Sequence, residues 1–384
     1  MRYDPIVTEK HEEFRKKVRK FAEEIIRPVA RELDEKEEFS EEITRKMGNL
    51  GLFGITVPKD YGGQSLDTLS YIIAVEELAR IDSSQAATIA SVNSLGIHPI
   101  YKYGNEDQKK KYLPLLCAGE KTWAFGLTEE NAGSDSQRTE TKAILSNGEW
   151  QINGSKMFIS NAAAEMSGGV TIQVVTGEKP DGKKELSTII VEKGTEGYIT
   201  ERIKGKLVWR AADTGKLIFK DCKVPEKNLL GERGKGPYIM LETLDGGRLS
   251  IAAIGLGLAQ GAFEMAREYA KKRKQFGQSI SKFQAIYFKL SDMAMKIELA
   301  RNTLYRTCWL KDNNLPYANE AAMIKLYCAE MAREIADEAV QIHGAYGLFR
   351  EYDIERFYRD QRLLQIGEGT SEILRLVISR SILS

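Results

Sequence analysis

The chain has 384 residues, enough for two or three domains and a large buried core. Lys plus Arg number 56 and Asp plus Glu 55, which excludes nucleic-acid or membrane-surface binding driven by bulk charge, though not a local basic groove. The longest purely apolar runs are far short of a bilayer span, and the start Met1-Arg2-Tyr3-Asp4-Pro5 carries no apolar signal segment.

The pattern predicts a helix over 8–36, with Phe14, Val18, Phe21 and Ile25 as its apolar stripe and Pro28 as a site of kinking. Ser40, followed by Glu41 and Glu42, starts a second helix that stops at Gly51, and 58–63 is a turn. Helical patterns return over 68–79 and from Ser84 towards Gly96, where Pro99 marks a boundary, and again after Asn105 as far as Cys117. From Thr122 to about Val224 the segments are short, rich in Val, Ile, Thr, Phe and Trp, and broken by Gly, Asn and Asp. Strand patterns at 150–154 (ending in a turn at Gly154), 171–175, 188–191 and 216–219, with no helices between them, predict a small antiparallel barrel or sandwich. After 231–236 the chain is helical to its end, with a densely apolar 249–262 and long patterns around 283–312, 317–343 and 371–383, enough for a four-helix bundle. The predicted organisation is α+β multidomain: an N-terminal all-α domain over 1–120, a middle antiparallel β-barrel or sandwich domain over 121–230, and a C-terminal helical bundle domain over 231–384. The four cysteines (Cys117, Cys222, Cys308, Cys328) and three histidines form no metal-ligand pattern. Each cysteine reads as a small buried hydrophobe in a reducing compartment, most simply the cytoplasm.

Several stretches combine reactive, small and turn-forming residues. Gln365-Ile366-Gly367-Glu368-Gly369-Thr370-Ser371-Glu372 sets one carboxylate between two glycines, which take backbone conformations other residues resist. Thr370 or Ser371 can cap a helix with apolar Ile373, Leu376 and Val377. An acid at such a corner suits a positioned base, and the same residues also suit a turn with a solvated Glu. In Leu127-Thr128-Glu129-Glu130-Asn131-Ala132-Gly133-Ser134-Asp135, small and hydroxyl residues let backbone N–H groups reach a planar ring or a phosphate, or simply make a turn-rich loop. Lys156-Met157-Phe158-Ile159-Ser160-Asn161 is a strand end with Phe158 and Ser160 on one face, able to stack on a flat ligand and reach a ring nitrogen, or to serve as core Phe and turn Ser. Arg273-Lys274-Gln275-Phe276-Gly277, with Phe283 and Gln284 beyond it, can hold a phosphate and an adenine or ribose, or complement the dipole of the helix it ends. Gln341-Ile342-His343-Gly344-Ala345-Tyr346-Gly347 offers exposed backbone, or a helix C-cap.

In order and spacing these stretches, together with 51–63, 210–214 followed by Val224-Pro225, and 244–248, resemble the acyl-CoA dehydrogenases along essentially the whole chain. The resemblance implies a flavoprotein with tightly bound FAD, usually a homotetramer. Its reaction removes the α-proton and β-hydride of an acyl-CoA thioester, with hydride passing to flavin N5 and electrons to electron-transferring flavoprotein. Glu368 would be the catalytic base. Some members carry the base at the place matching Gly247, but Leu244-Asp245-Gly246-Gly247-Arg248 has no acid there. Phe125, Leu127, Thr128, Gly133 and Ser134 would line the flavin, Ser134 also facing substrate. Phe158, Ile159 and Ser160 would pack on the isoalloxazine, with Phe158 and Ser160 as conservative departures from the common Trp and Thr. Arg273, Gln275, Phe276, Gln341, Gly344 and Ala345 would hold the FAD of a neighbouring subunit, and Phe283, Gln284, Thr370 and Glu372 would also touch FAD. Asp245 and Arg248 would contact the CoA portion, and Gly367 and Gly369 would flank the substrate. The backbone N–H of Glu368 and a ribityl hydroxyl would stabilise charge on the thioester carbonyl.

Gly367 stands where many straight-chain members have Tyr. This predicts an acyl group with bulk near the thioester, branched, cyclic or aryl-bearing; alternatively Gly367 only relaxes the turn. The chain resembles glutaryl-CoA dehydrogenases around Arg202-Ile203-Lys204-Gly205-Lys206, but their carboxylate-binding Arg matches Ala87, and 82–100 holds no Arg or Lys. An unpaired substrate carboxylate in an apolar pocket is costly, so a dicarboxylyl-CoA is disfavoured unless an Arg such as Arg210 reaches in. Same-fold oxidases or monooxygenases and a non-catalytic helical scaffold are the competing readings. The retained Glu368 argues against the monooxygenases, the chain length against the longer acyl-CoA oxidases, and the retained FAD-facing residues against the scaffold.

Overall fold

The computed structural model describes residues 6–383, so the 1–5 stretch read for a signal segment lies outside the described residues. Thr8 caps Glu9–Phe21 (α1), and the chain stays helical to Lys36 as expected, but not as one regular helix. Ala22–Ile26 forms a π turn ahead of Arg27–Lys36 (α2), whose first turn holds Pro28. Proline has no N–H for the preceding turn, and one extra residue in that turn removes the conflict. Val18 is buried as expected, but beyond it the buried stripe runs through Ala22, Ile26 and Ala30 rather than Phe21 and Ile25. Glu41–Asn49 (α3) and Thr68–Ala79 (α4) begin at the side-chain caps Ser40 and Asp67. Pro99 is answered in the same way as Pro28. Where a helix boundary was expected, Ser83–Ser91 (α5) runs through a π turn, Val92–Ile97, into His98–Tyr103 (α6). Glu106–Cys117 (α7) follows, capped by Asn105.

Seven strands come next: Thr122–Gly126 (β1), Lys142–Ser146 (β2), Glu149–Ser160 (β3), Ser167–Glu178 (β4), Lys184–Glu192 (β5), Tyr198–Arg202 (β6) and Thr214–Pro225 (β7). They form one sheet in the order β1-β4-β2-β3-β7-β6, with β5 also on β4. Its pairings are antiparallel except that β4 meets β1 and β2 in parallel. The expected turn at Gly154 is instead a bulge in a continuing strand. Gly154 has φ +144°, and a Cβ there would meet Thr141 Oγ1 at 2.6 Å.

The rest is helical: Gly236–Lys272 (α8), then, after the two-residue strands Lys274–Gln275 (β8) and Gln278–Ser279 (β9), Gln284–Asp312 (α9), Ala318–His343 (α10), Ile354–Asp360 (α11) and Ser371–Leu383 (α12). Helix α8 is long and apolar enough to cross a membrane by length and composition, yet 78% of its most apolar stretch is buried inside the protein. Its glycines let α4 approach at backbone distance. A Cβ at Gly257 or Gly261 would stand 2.2 Å from the Glu76 or Arg80 carbonyl oxygen. Helix α12 buries Leu374, while Leu376 is 44% exposed and Ile373 and Val377 are half-buried, so the expected apolar stripe lies mostly outside this single chain's core. All four cysteines are buried and free.

Candidate functional site

Helix α8 carries Gly246 and Gly247 where it passes the turn before α12. The Glu368 carboxylate lies over the second: its Oε2 is 2.1 Å from where a Gly247 Cβ would stand, with Leu95 Cδ2 3.4 Å from the same point. The two places at which a base was sought therefore open onto one space. Glu368 reaches it from left-handed backbone, φ +53°, followed by Gly369 at φ +97°. A non-glycine residue held there carries strain, which gathers at functional sites. Thr370, not Ser371, caps α12, its hydroxyl accepting from the Ile373 N–H at 3.2 Å.

Glu368 as a residue is half-buried, but Oε2 is shielded from solvent and accepts no hydrogen bond. Burial pushes the carboxyl up to about 7, against the downward pull of Lys325 and then Arg248. Arg248 is buried and ion-paired with Asp245 one turn away on α8. Tyr71 of α4 stands near and donates to the Ala90 carbonyl at 2.8 Å. The sequence reading missed Lys325. It is fully buried on α10, and its Nζ donates to the Gly369 carbonyl at 2.6 Å. Its signal is one cation on an inward helix face otherwise made by Ala321, Ala322, Ile324, Cys328 and Ala329.

The second group stands on the sheet. Met157 N–H donates to the Thr128 carbonyl at 2.9 Å, which joins the 127–135 loop to the end of β3. Behind the loop Glu129 turns inward, accepting from Lys156 Nζ at 2.7 Å and from the Glu140 and Thr141 N–H groups at 2.6 and 3.1 Å. Lys156, fully buried, also donates to the Leu127 carbonyl at 3.3 Å. This anchor too went unrecognised in the sequence. In front, Phe125, Leu127 and Thr128 are half-buried, Gly133 and Ser134 exposed, and a Cβ at Gly133 would meet nothing within 4 Å. Phe158 is 66% exposed at φ +61°, on a bulge between Lys156 and Ile159. The bulge, rather than plain alternation, presents the ring, while Ile159 turns into the core and Ser160 is half-buried. An uncovered aromatic beside an open small-residue loop fits a flat ring system.

The third group is separate. Phe276, at φ +51° and 92% exposed, tips the β8–β9 hairpin edge-on to Phe283. The Arg273 guanidinium lies 5.5 Å over the Tyr346 ring, and Tyr269 stacks on His343 at 4.4 Å, so the ends of α8 and α10 lie side by side. Arg273, Gln275, Gln284, Gln341, Gly344 and Ala345 are exposed there. At 1.5 Å per residue, Arg273 is roughly 39 Å along α8 from Gly247. Glu372 is exposed beside the base, and Arg210 is committed to Glu37 at 2.8 Å.

Three family models cover the chain: acyl-CoA dehydrogenase N-terminal domain over 8–120, middle domain over 124–222 and C-terminal domain over 234–383. Among relatives, a probable acyl-CoA dehydrogenase of Bacillus subtilis is 46% identical over 98% of this chain and 99% of its own. A short-chain-specific acyl-CoA dehydrogenase of Clostridium acetobutylicum is 45% identical over 98% of each, and a 3-(aryl)acrylate reductase of Clostridium sporogenes 40% over 98% and 99%. Among solved structures, butyryl-CoA dehydrogenase of Megasphaera elsdenii superposes with a TM-score of 0.95 at 38% identity, covering both chains fully. A structure described as the electron transferring flavoprotein of Acidaminococcus fermentans gives 0.95 at 41%, again covering both fully. An acyl-CoA dehydrogenase of Bacillus anthracis complexed with FAD gives 0.92 at 36%, over 98% of this chain and 67% of that one.

Proposed function

We propose, for a chain that belongs to the acyl-CoA dehydrogenase family and is an oxidoreductase with FAD as cofactor, that it desaturates an acyl-CoA at Cα–Cβ with Glu368 as base. The observation that carries this is a buried carboxylate with an unpartnered Oε2, raised to about 7 and lying over Gly247 of α8, where a side chain would displace it. A base of that strength is half-ionised near neutral pH and takes a proton readily once ionised. Glu368 removes the α-proton while its own backbone N–H serves the thioester oxygen, where charge develops. FAD, when bound, supplies the hydride acceptor for Cβ. Phe158 with the 127–135 loop would hold the flavin, and Asp245 and Arg248 the CoA portion. The exposed group at the ends of α8 and α10 would serve the cofactor of a second copy in a homotetramer, as its distance from Gly247 suits. Electrons would pass to electron-transferring flavoprotein in the cytoplasm.

For the acyl group, the reading is bulk near the thioester. A Cβ at Gly367 would have only Leu363 near it, at 3.7 Å, and Gly367 is not left-handed, so neither space nor turn geometry calls for glycine. A dicarboxylyl-CoA is disfavoured, since Arg210 is paired elsewhere and Ala87 is buried without a cation beside it on α5. The second reading, a short straight chain, has the short-chain-specific relative in its favour. Glu368→Gln tests the base: FAD content and melting should survive while turnover falls by several orders of magnitude. More than about a tenth of wild-type rate would overturn it.

A further inference from the structure

Helix α10 packs closely against α8. A Cβ at Gly255 of α8 would stand 3.0 Å from the Cys328 carbonyl oxygen of α10. The α10 residues at this seam are small or apolar, and Lys325 is the fully buried exception. A buried ammonium is costly unless something repays its lost hydration. What it meets is the Gly369 carbonyl, at 2.6 Å. That carbonyl closes the left-handed pair Glu368–Gly369, and the pair aims both the Glu368 side chain and the Glu368 N–H. We infer that Lys325 is a positioning residue for the base: its hydrogen bond to the Gly369 carbonyl fixes the left-handed corner that carries Glu368, and it sets a positive charge beside that corner. This rests on Glu368 being the base.

Of the two cations near Glu368, Lys325 meets a backbone carbonyl rather than a carboxylate. Arg248 on α8 is ion-paired with Asp245, and Tyr71 on α4 donates to Ala90. Lys325 is also the first of the two cations that draw the Glu368 carboxyl down against burial. Two functions can therefore be separated by substitution. Lys325→Gln retains an N–H donor of similar reach and loses the charge. Lys325→Arg retains the charge and changes the shape.

The test is the pH profile of single-turnover flavin bleaching in the FAD-loaded variants, with FAD content and melting temperature measured beside it. Lys325→Gln should retain FAD and move the acidic limb upward by about one unit or more, as loss of a nearby opposite charge does. Lys325→Arg should leave that limb in place while lowering the plateau. An unmoved limb in Lys325→Gln, whatever its melting temperature or plateau, would overturn the inference, because a purely structural lysine would weaken the fold without moving the base. If Lys325→Gln does not fold, Lys325→Arg decides: a shifted limb with the charge retained overturns the inference, and an unshifted one with a lowered plateau supports it. Glu368→Gln run alongside separates the two readings. An active Glu368→Gln removes the base assignment itself. An inactive one with an unmoved Lys325→Gln limb removes only the positioning role.

Discussion

A single methyl group at Gly247 should separate catalysis from stability. The Cβ of Gly247→Ala would stand 2.1 Å from Glu368 Oε2 and 3.0 Å from its Cδ. Ordinary contact needs about 3.5 Å, so the carboxylate must retreat by roughly 1 Å or more. A misplacement of about 1 Å in a catalytic group costs on the order of 100-fold in rate. The helix itself should gain, because Ala in place of Gly inside a helix is worth about 0.5–1 kcal/mol. The expected variant is thus folded, yellow, at least as heat-stable as wild type, and about 100-fold slower in substrate-dependent flavin bleaching. Stopped-flow bleaching and a melting curve on the same preparation read both halves. A rate within threefold or so of wild type would show that Glu368 does not act from the position over Gly247. A large loss of stability instead would mean that α8 cannot accept the methyl group, and the packing argument would fail.

Turnover of the wild type should rise with pH through about 7 and then level, since the base acts only when ionised; a flat profile from pH 5 to 8 would contradict the buried carboxylate. The same raised value has a stability consequence of opposite sense. The folded state binds this proton more tightly than the unfolded chain, so the stabilisation is present below the unfolded value, about 4.3, and is lost as pH rises through about 7. Glu368→Gln should therefore melt higher than wild type at pH 8, by up to about 3 kcal/mol of stability, with the gap closing towards pH 4. Lys156→Met strands the Glu129 carboxylate behind the 127–135 loop and should cost about 3 kcal/mol and weaken FAD retention; unchanged melting and FAD content would show that the pair anchors nothing. Gly367→Tyr should depress activity on branched, cyclic or aryl thioesters while sparing butyryl-CoA. A wild type that prefers butyryl- or octanoyl-CoA over all of these refutes that use of Gly367.

The parts of the molecule legible in the sequence were those written in local pattern. The helix starts expected at Ser40, at Thr68 and after Asn105 lie where the side-chain oxygens of Ser40, Asp67 and Asn105 meet the first free N–H groups, and the long amphipathic runs form the bundle. Pro28 reads as a kink and Pro99 as a boundary, and only packing on both sides makes a π turn the cheaper answer to each. Parallel pairing at β4 was hidden for a similar reason: alternation within a strand says which face is inward, not which neighbour lies beside it. The residues that support the site were hardest to see. Lys156 and Lys325 owe their roles to partners 27 and 44 positions away, and a lysine in a helix or strand ordinarily reads as solvated.

Two glycines around Glu368, Gly247 and Gly367, differ in what they are needed for, and that difference bears on what the enzyme can bind. Gly247 is required: any side chain there enters the volume of the Glu368 carboxylate. Gly367 is not, because its backbone is not left-handed and a Cβ would make only ordinary contact with Leu363. The turn obtains its left-handed geometry from Glu368 and Gly369 instead. Relaxing the turn therefore does not account for Gly367, and in the proposed site what remains is the side chain it would withhold from the space beside the reacting carbons. A chain that bound only slender acyl groups would gain apolar contact by filling that space with an aromatic ring. Leaving it open is useful when the substrate itself supplies the bulk, and this sets the acyl-CoA panel, rather than another structure, as the measurement that decides between the two substrate readings.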